Sequence, residues 1–295
     1  MNQHLELPAS LADFTDRFGD EPSSRELLAS LRWPGGFRCP RCDHDSAGFI
    51  ATRGLYECRA CGYQASLRTG SVMESSHLEL NRWVRAAFLV ASGERGLSPA
   101  RFKRHLGLSR YDTAWNLVRK LRAAMEQHND RPLSGVVEVD EMPLRIRETI
   151  RDEWTPAYHV RRKVFIIGAV EVTSSGPGRI RLEIVTKLKG ETMAGFVKRV
   201  VAPGSAVITS GHRGYLPLAR APFEHRQVRV GLNGDPAEVL PVVHGVFAGL
   251  KSWLPEGKPE ILSDRIPALL EEYAFRHNCS GDPTEAFRRL LGVGT

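Results

Sequence analysis

Long apolar runs are absent from this 295-residue chain. No stretch approaches the roughly eighteen consecutive apolar residues that a membrane-spanning helix needs. The N-terminus, MNQHLELPASLADF, lacks both the basic and the apolar region of a signal peptide, so a reducing cytoplasm is the expected setting. Cysteine is scarce, with five in the whole chain, which excludes a small oxidised scaffold held by disulfides. Repeats and low-complexity tracts are missing as well. What is present is enough for a core, because an apolar content of 42% excludes a wholly disordered protein.

Four of the five cysteines fall in two CxxC pairs, Cys39-Pro-Arg-Cys42 and Cys58-Arg-Ala-Cys61, with fifteen residues between them. Each pair can form a tight turn that aims two thiolates at one ion, and two such turns complete the tetrahedral sulfur shell of structural zinc. Gly62 follows the second pair, where glycine relieves crowding at a turn. Such a shell is closed and leaves no position for substrate. Phe49, Tyr56 and Tyr63 suit short antiparallel strands around the metal. Cys279 stands apart and reads as a buried apolar residue.

Acidic residues are nearly missing from one segment. Between Arg95 and Arg122, the basic residues Arg95, Arg101, Lys103, Arg104, Arg110, Arg119, Lys120 and Arg122 face the single acid Asp112. That stretch carries as much net positive charge as the whole protein, +7. A solvated helical face would mix both signs, so a polyanion such as nucleic acid is the expected partner. The same segment predicts a short helix ending at Gly107 and a second helix capped by Ser109, with Ala114, Leu117, Val118 and Leu121 inward. This is a helix-turn-helix pattern that exposes Arg110, Tyr111, Thr113 and Asn116.

Before it, residues 8–33 predict two short helices broken at Gly19 to Pro22, the second capped by Ser23 or Ser24. Leu80, Trp83, Val84, Ala87, Phe88 and Ala91 recur at helical spacing and predict a helix buried on one side. After about residue 134 the β-branched runs GVVEVDEM, KVFIIGAVEV, RIRLEIVTK and SAVITSG, with GETMAGFVKRVV as a helix before the last, predict an α/β sheet. VHGVFAGLKSWL and IPALLEEYAFRHN return to helical spacing. Asp140 closes an apolar strand, where a carboxylate is costly unless something pairs with it. Either a divalent metal or an edge position would relieve that cost. His212 and His225 read as solvent-exposed neighbours.

The order of these features, Cys39-x-x-Cys42, Cys58-Arg59-Ala60-Cys61-Gly62, Thr113-Ala114-Trp115, Val137-Glu138-Val139-Asp140-Glu141, Gly214-Tyr215, His244 to Lys251, and Glu272 to Asn278, resembles the zinc-ribbon insertion-sequence transposases of the DDE type, the ISXO-two-like group. The resemblance implies a ribonuclease-H-like domain, a mixed sheet with flanking helices, that binds two magnesium ions and cuts and joins transposon ends. It implies duplex DNA at terminal repeats as partner and a homo-oligomer on that DNA. The expected divisions are an N-terminal helical segment over 1–36, a zinc ribbon over 37–72, a helix-turn-helix-like region over 77–128 and the transposase domain over 134–295.

Carried onto this chain, the resemblance makes Asp140 the first magnesium ligand and His244 the third active-site position, with Lys251 seven residues on as a phosphate contact. Ser210 stands where the second aspartate is expected, in Val207-Ile208-Thr209-Ser210-Gly211. A hydroxyl is a weak magnesium ligand and brings no charge, so strand transfer is expected to be impaired. Asp235 and Glu238 are the sequence-near acids that could substitute. The alternatives are a non-catalytic DNA-binding protein derived from a transposase and, more remotely, a zinc-ribbon transcription or repair factor with no nuclease fold.

Overall fold

The computed structural model describes residues 6–93, 98–128, 131–150, 156–229, 235–254, 261–262 and 265–293. Arg95 of the basic segment therefore lies outside the described residues. The chain divides into two compact units, one formed by Met1–Gln127 with Cys279–Thr295 and the other by His128–Asn278. Among the described residues, no helix is long and apolar enough to cross a membrane.

The first unit begins with α1 (Leu11–Phe18) and α2 (Glu21–Arg32). The cap of α2 is Asp20, whose carboxylate accepts from the Ser23 amide at 2.7 Å, rather than Ser23 or Ser24. Pro22 then falls in the first turn, where its missing N–H costs nothing. Next come β1 (Ala47–Ile50), β2 (Leu55–Cys58) and β3 (Gln64–Ser66), a three-stranded antiparallel sheet. The Arg25 guanidinium lies 4.4 Å from the centre of the Phe49 ring on this sheet, a cation–π contact.

Helix α3 (Leu80–Ala91) buries Ala86, Leu89 and Val90 in addition to the expected face. The reason is that α1, α2 and α10 (Pro283–Leu291) all pack on it. Phe14 stacks on Phe88 at 4.1 Å and meets Phe287 of α10 edge-on at 5.9 Å. Thus the sequence-distant α10 belongs to the N-terminal unit and not to the α/β unit that it follows. The short α4 (Pro99–His105) and the long α5 (Tyr111–His128) complete this unit. Gly107 sits between them at φ +61°, which favours glycine, and Ala114, Leu117, Val118 and Leu121 are buried as expected.

The second unit is a mixed sheet. Its strands are β4 (Val136–Ile150), β5 (Tyr158–Thr173), β6 (Gly176–Val185), β7 (Ala206–Ser210), β8 (Glu224–Val228) and β9 (Ile261–Leu262). The order is β6-β5-β4-β7-β8, with β9 paired to β4. The first three strands are antiparallel, while β7 runs parallel to both β4 and β8. Strand β4 is about twice, and β5 about one and a half times, the length that the apolar runs predict. A bulge between Val170 and Val172 leaves Glu171 free to receive the Arg179 guanidinium at 2.7 Å and the Ser134 amide at 2.8 Å.

Strand alternation gives the sheet two faces. Val137, Val139, Ile167, Ala169 and Val207 pack beneath α6 (Gly190–Val200) and a 3-10 helix over Arg213–Arg220. Met142, Ile146, Ile166, Val170 and Ile180 pack beneath α8 (Pro241–Trp253) and α9 (Ile266–Asn278). The one-turn α7 (Pro236–Val239) precedes α8. Helix α9 is tied to the edge strand β6, since Asn278 accepts from the Ile180 amide at 2.7 Å and returns a bond to its carbonyl at 3.2 Å.

Candidate metal centre and carboxylate site

The cysteine quartet is built by two turns of the same design. In the first, the Asp43 amide donates to the Cys39 carbonyl at 2.9 Å and the Cys39 amide to the His44 carbonyl at 2.9 Å. In the second, Gly62 donates to Cys58 at 3.0 Å and Cys58 to Tyr63 at 2.9 Å. Gly62 adopts φ +69° and Asp43, its counterpart, φ +58°. The sequence pointed to Gly62 but not to Asp43, because aspartate tolerates the left-handed region less openly than glycine. All four sulfur atoms lie within 4.8 Å of one another.

Among the described residues, this is the one group of three or more His, Cys, Asp or Glu side chains whose ligand atoms converge so closely. The thiols differ. Burial raises Cys39, but amides from Arg41 and Cys42 bring it down to about 7. Cys42 receives the His44 amide, yet its neighbouring thiols and burial push it up to about 12. Crowded thiols that compete for protons suit a divalent cation, and the all-sulfur donor set fits structural zinc.

The second site lies on the sheet face beneath α8. Asp140 is 5% exposed, and its Oδ2 lies 2.9 Å from His244 Nε2 on the first turns of α8. Strands β4 and β7 are in register at Val139 and Thr209, so Asp140 and Ser210 follow on neighbouring strands and share a face. Among the described residues, the Ser210 hydroxyl is buried without a protein partner. Lys251 is exposed on α8, two turns beyond His244 and about 10 Å along the helix axis.

Three features hold His244 in place. Glu138, two residues before Asp140 and on the same face, accepts from the Val242 and Val243 amides at 2.9 Å each, which satisfies orphan donors at the N-terminus of α8. Gly168 stands directly opposite Asp140 on β5. A Cβ there would meet the Phe247 ring at 2.7 Å, so glycine lets α8 lie close to the sheet. Phe247 in turn meets His244 edge-on at 5.9 Å.

Glu141 points to the other face, where the fully buried Tyr215 donates to it at 2.9 Å. Burial and then the Asp140 charge push Glu141 up to about 7, against the pull of the Tyr215 hydroxyl. Neither Glu138 nor Glu141 was singled out as a site residue from the sequence. The two acids that were behave differently: Asp235 accepts from the Ala237 amide of α7 at 2.9 Å, and Glu238 is exposed on that helix. His212 and His225 are half-buried rather than exposed. His212 accepts from the Gly214 amide at 3.0 Å, and His225 lies 3.0 Å from the Thr209 hydroxyl.

In the basic segment, Arg104, Arg110, Tyr111, Asn116 and Arg119 are exposed, while Arg101, Lys103 and Thr113 are half-buried. Lys120 turns inward, donating to the Glu74 carbonyl beside the Trp83 ring. Tyr111 and Trp115, one turn apart, are 51% and 50% exposed. Trp115 entered the sequence reading only within the Thr113-Ala114-Trp115 motif and was given no role there.

Comparison with known proteins gives two family matches. Residues 132–278 match the ISXO2-like transposase domain and residues 19–64 the transposase zinc-ribbon domain. The uncharacterized protein of transposable element ISH50 from Halobacterium salinarum is 30% identical over 128 residues, 42% of each chain. The chain thus matches less than half the length of that relative. The solved pre-cleavage Mos1 transpososome overlaps 70% of this chain and 76% of its own at 12% identity, with a TM-score of 0.31, too slight a likeness to carry an argument. With the zinc-ribbon match and the transposase-domain match falling in order on the cysteine quartet and on the mixed sheet, the chain belongs to the zinc-ribbon insertion-sequence transposases of the ISXO2-like group.

Proposed function

We propose that this chain binds the duplex DNA of its element's ends and acts there as a transposase whose strand cutting and joining are impaired. The carrying observation is the Ser210 hydroxyl, which among the described residues is buried beside Asp140 without a protein partner. The family resemblance calls for an aspartate at that point.

Phosphoryl transfer by two metal ions needs carboxylates from separate elements to clamp both the attacking and the leaving oxygen. On the α8 side of the sheet the groups at hand are the Asp140 carboxylate, the His244 imidazole and a neutral hydroxyl, because the Glu138 carboxylate on that face is engaged by the Val242 and Val243 amides. Magnesium prefers hard, charged oxygen ligands, so this donor set does not fit a pair of magnesium ions. The sheet order, with an antiparallel meander on one side of β4 and parallel strands on the other, supports the ribonuclease-H-like architecture that the resemblance implies. A serine in place of the aspartate leaves that scaffold intact and removes charge from it.

DNA binding in this reading rests on the first unit. Helices α4 and α5 form the helix-turn-helix, in which Arg110, Tyr111, Thr113 and Asn116 meet base edges, while Arg101, Lys103, Arg104 and Arg119 meet phosphates. Joining two ends requires two copies, so a homo-oligomer assembles on the DNA.

The test is a magnesium-dependent cleavage assay on terminal-repeat duplex, run with the unaltered chain, Ser210→Asp and Asp140→Ala. Duplex binding with little cleavage is expected from the unaltered chain, and a gain of roughly tenfold or more from Ser210→Asp. Efficient cleavage by the unaltered chain that vanishes in Asp140→Ala would sink the impaired reading. Binding with no gain from Ser210→Asp would instead favour a DNA-binding protein that has left catalysis behind.

A further inference from the structure

Two aromatic side chains of α5 stand out in water. Of the large apolar side chains exposed among the described residues, Tyr111 and Trp115 are the one pair on a single element. Four residues apart on a helix, they fall on the same face, away from the face that buries Ala114, Leu117, Val118 and Leu121. The Arg119 guanidinium, one turn further on, lies 5.9 Å from the centre of the Trp115 ring and steadies the indole against the helix. A lone exposed ring is ordinary, but two adjoining rings mark a contact surface.

The surroundings of the rings select the kind of partner. Arg104, Arg110 and Arg119 are exposed, and Asp112 is the one acid between Ser98 and Met125. That acid sits in the first turn of α5, where the helix dipole favours it. A polyanion suits such a rim, whereas an apolar protein surface does not. Phosphates account for the cations but leave the ring faces without a partner. In the major groove, the apolar group that a base-pair edge offers is the thymine 5-methyl. Asn116, exposed beside Trp115, carries the amide that pairs with adenine at two points, so both neighbours favour A·T pairs.

Helix geometry adds a spacing. Tyr111 and Trp115 are about 6 Å apart along the helix axis, close to the roughly 6.8 Å that two base-pair steps span. We propose that Tyr111 and Trp115 pack their rings on thymine methyl groups two base pairs apart in the major groove, and so set a preference for A·T pairs in the DNA that this chain binds. This rests on the reading of duplex DNA as the ligand of α4 and α5.

The experiment compares binding to fluorescent duplexes of one terminal-repeat sequence, made with thymine or with uracil throughout, which differ only in the 5-methyl groups. The full chain is set beside Trp115→Ala, the double substitution Tyr111→Ala with Trp115→Ala, and Arg104→Ser. The unaltered chain is expected to bind the uracil duplex roughly fifteenfold more weakly than the thymine duplex, Trp115→Ala about fourfold more weakly, and the double variant equally. Arg104→Ser should weaken both duplexes alike and keep the full ratio. Melting temperatures should stay level, because both rings are exposed and alanine favours a helix. A double variant that keeps the full ratio, or an unaltered chain that shows none, would overturn the methyl reading and leave the DNA reading standing. A kept ratio with a smaller mass in sedimentation would also overturn it, by assigning the rings to a contact between copies. A double variant that melts lower and binds neither duplex would overturn it as well, by making the rings structural. If the unaltered chain binds no duplex at any salt concentration, the DNA reading itself fails and the methyl reading falls with it.

Discussion

Glu138 and Asp140 fasten α8 to the sheet at two points, one through backbone amides and one through an imidazole. Replacing Glu138 with alanine strips the cap from two buried donors, at a cost of about 1–3 kcal/mol, which a urea midpoint will register. Glu171 offers a separate test in pH. Burial raises its pKa, but the Arg179 and Ser134 contacts outweigh this and hold it below the usual value. Its contribution is therefore present above the ordinary carboxylate range and lost as pH falls through the lowered value. Glu171→Gln should lower the melting temperature at pH 7, and that difference should shrink as the solution is acidified toward pH 3. Motif order and spacing paired Asp140 with His244, and the two side chains lie 2.9 Å apart. The roles of Glu138 and Glu141 were not legible, because their partners lie 104 and 74 residues away in sequence, and an acid on a strand does not announce whether it will meet a metal, a helix end or a tyrosine.

At the level of elements, apolar runs marked the places of β4 to β7 but understated β4 and β5. The segment PLRIRETI carries a proline and alternates apolar with charged residues, and it was given no strand. Pro143 is tolerated because β4 has already lost its β7 neighbour by that point, and a strand can hold proline where no donor is required. Strand β8 and the 3-10 helix escaped notice for a related reason, since β8 reads Glu-His-Arg-Gln-Val and takes its order from the parallel β7 beside it. Gly168 shows how one missing Cβ sets the position of a helix. Gly168→Ala would force the Phe247 ring outward, destabilise the fold by about 1–3 kcal/mol and loosen the contact between His244 and Asp140. A lower urea midpoint, together with a shift of the His244 ring resonances by NMR, is the expected result.

For the molecule as a whole, the α/β unit is one continuous stretch, and the cysteine quartet and basic helices fall in the other unit. The expected transposase domain ran from 134 to 295, whereas Cys279–Thr295 packs with the first unit. Helix α10 carries clear end signals, the Asp282 cap, Pro283 and a left-handed Gly292, but these say nothing of its packing partner, which the ring cluster of Phe14, Phe88 and Phe287 and the Val72 amide on the Leu291 carbonyl reveal. Phe287→Ala should cost about 3–5 kcal/mol and lower the melting transition of the first unit, which can be followed through the fluorescence of Trp83 in its core.

That cluster also has a consequence in time. Phe14 and Phe287 meet in one cluster although the entire α/β unit lies between them in the chain. The helical core around α3 therefore cannot close until Phe287 has been made, whereas the mixed sheet has all its strands earlier. A chain stopped before α10 would carry the cysteine turns without the finished helical core of their own unit.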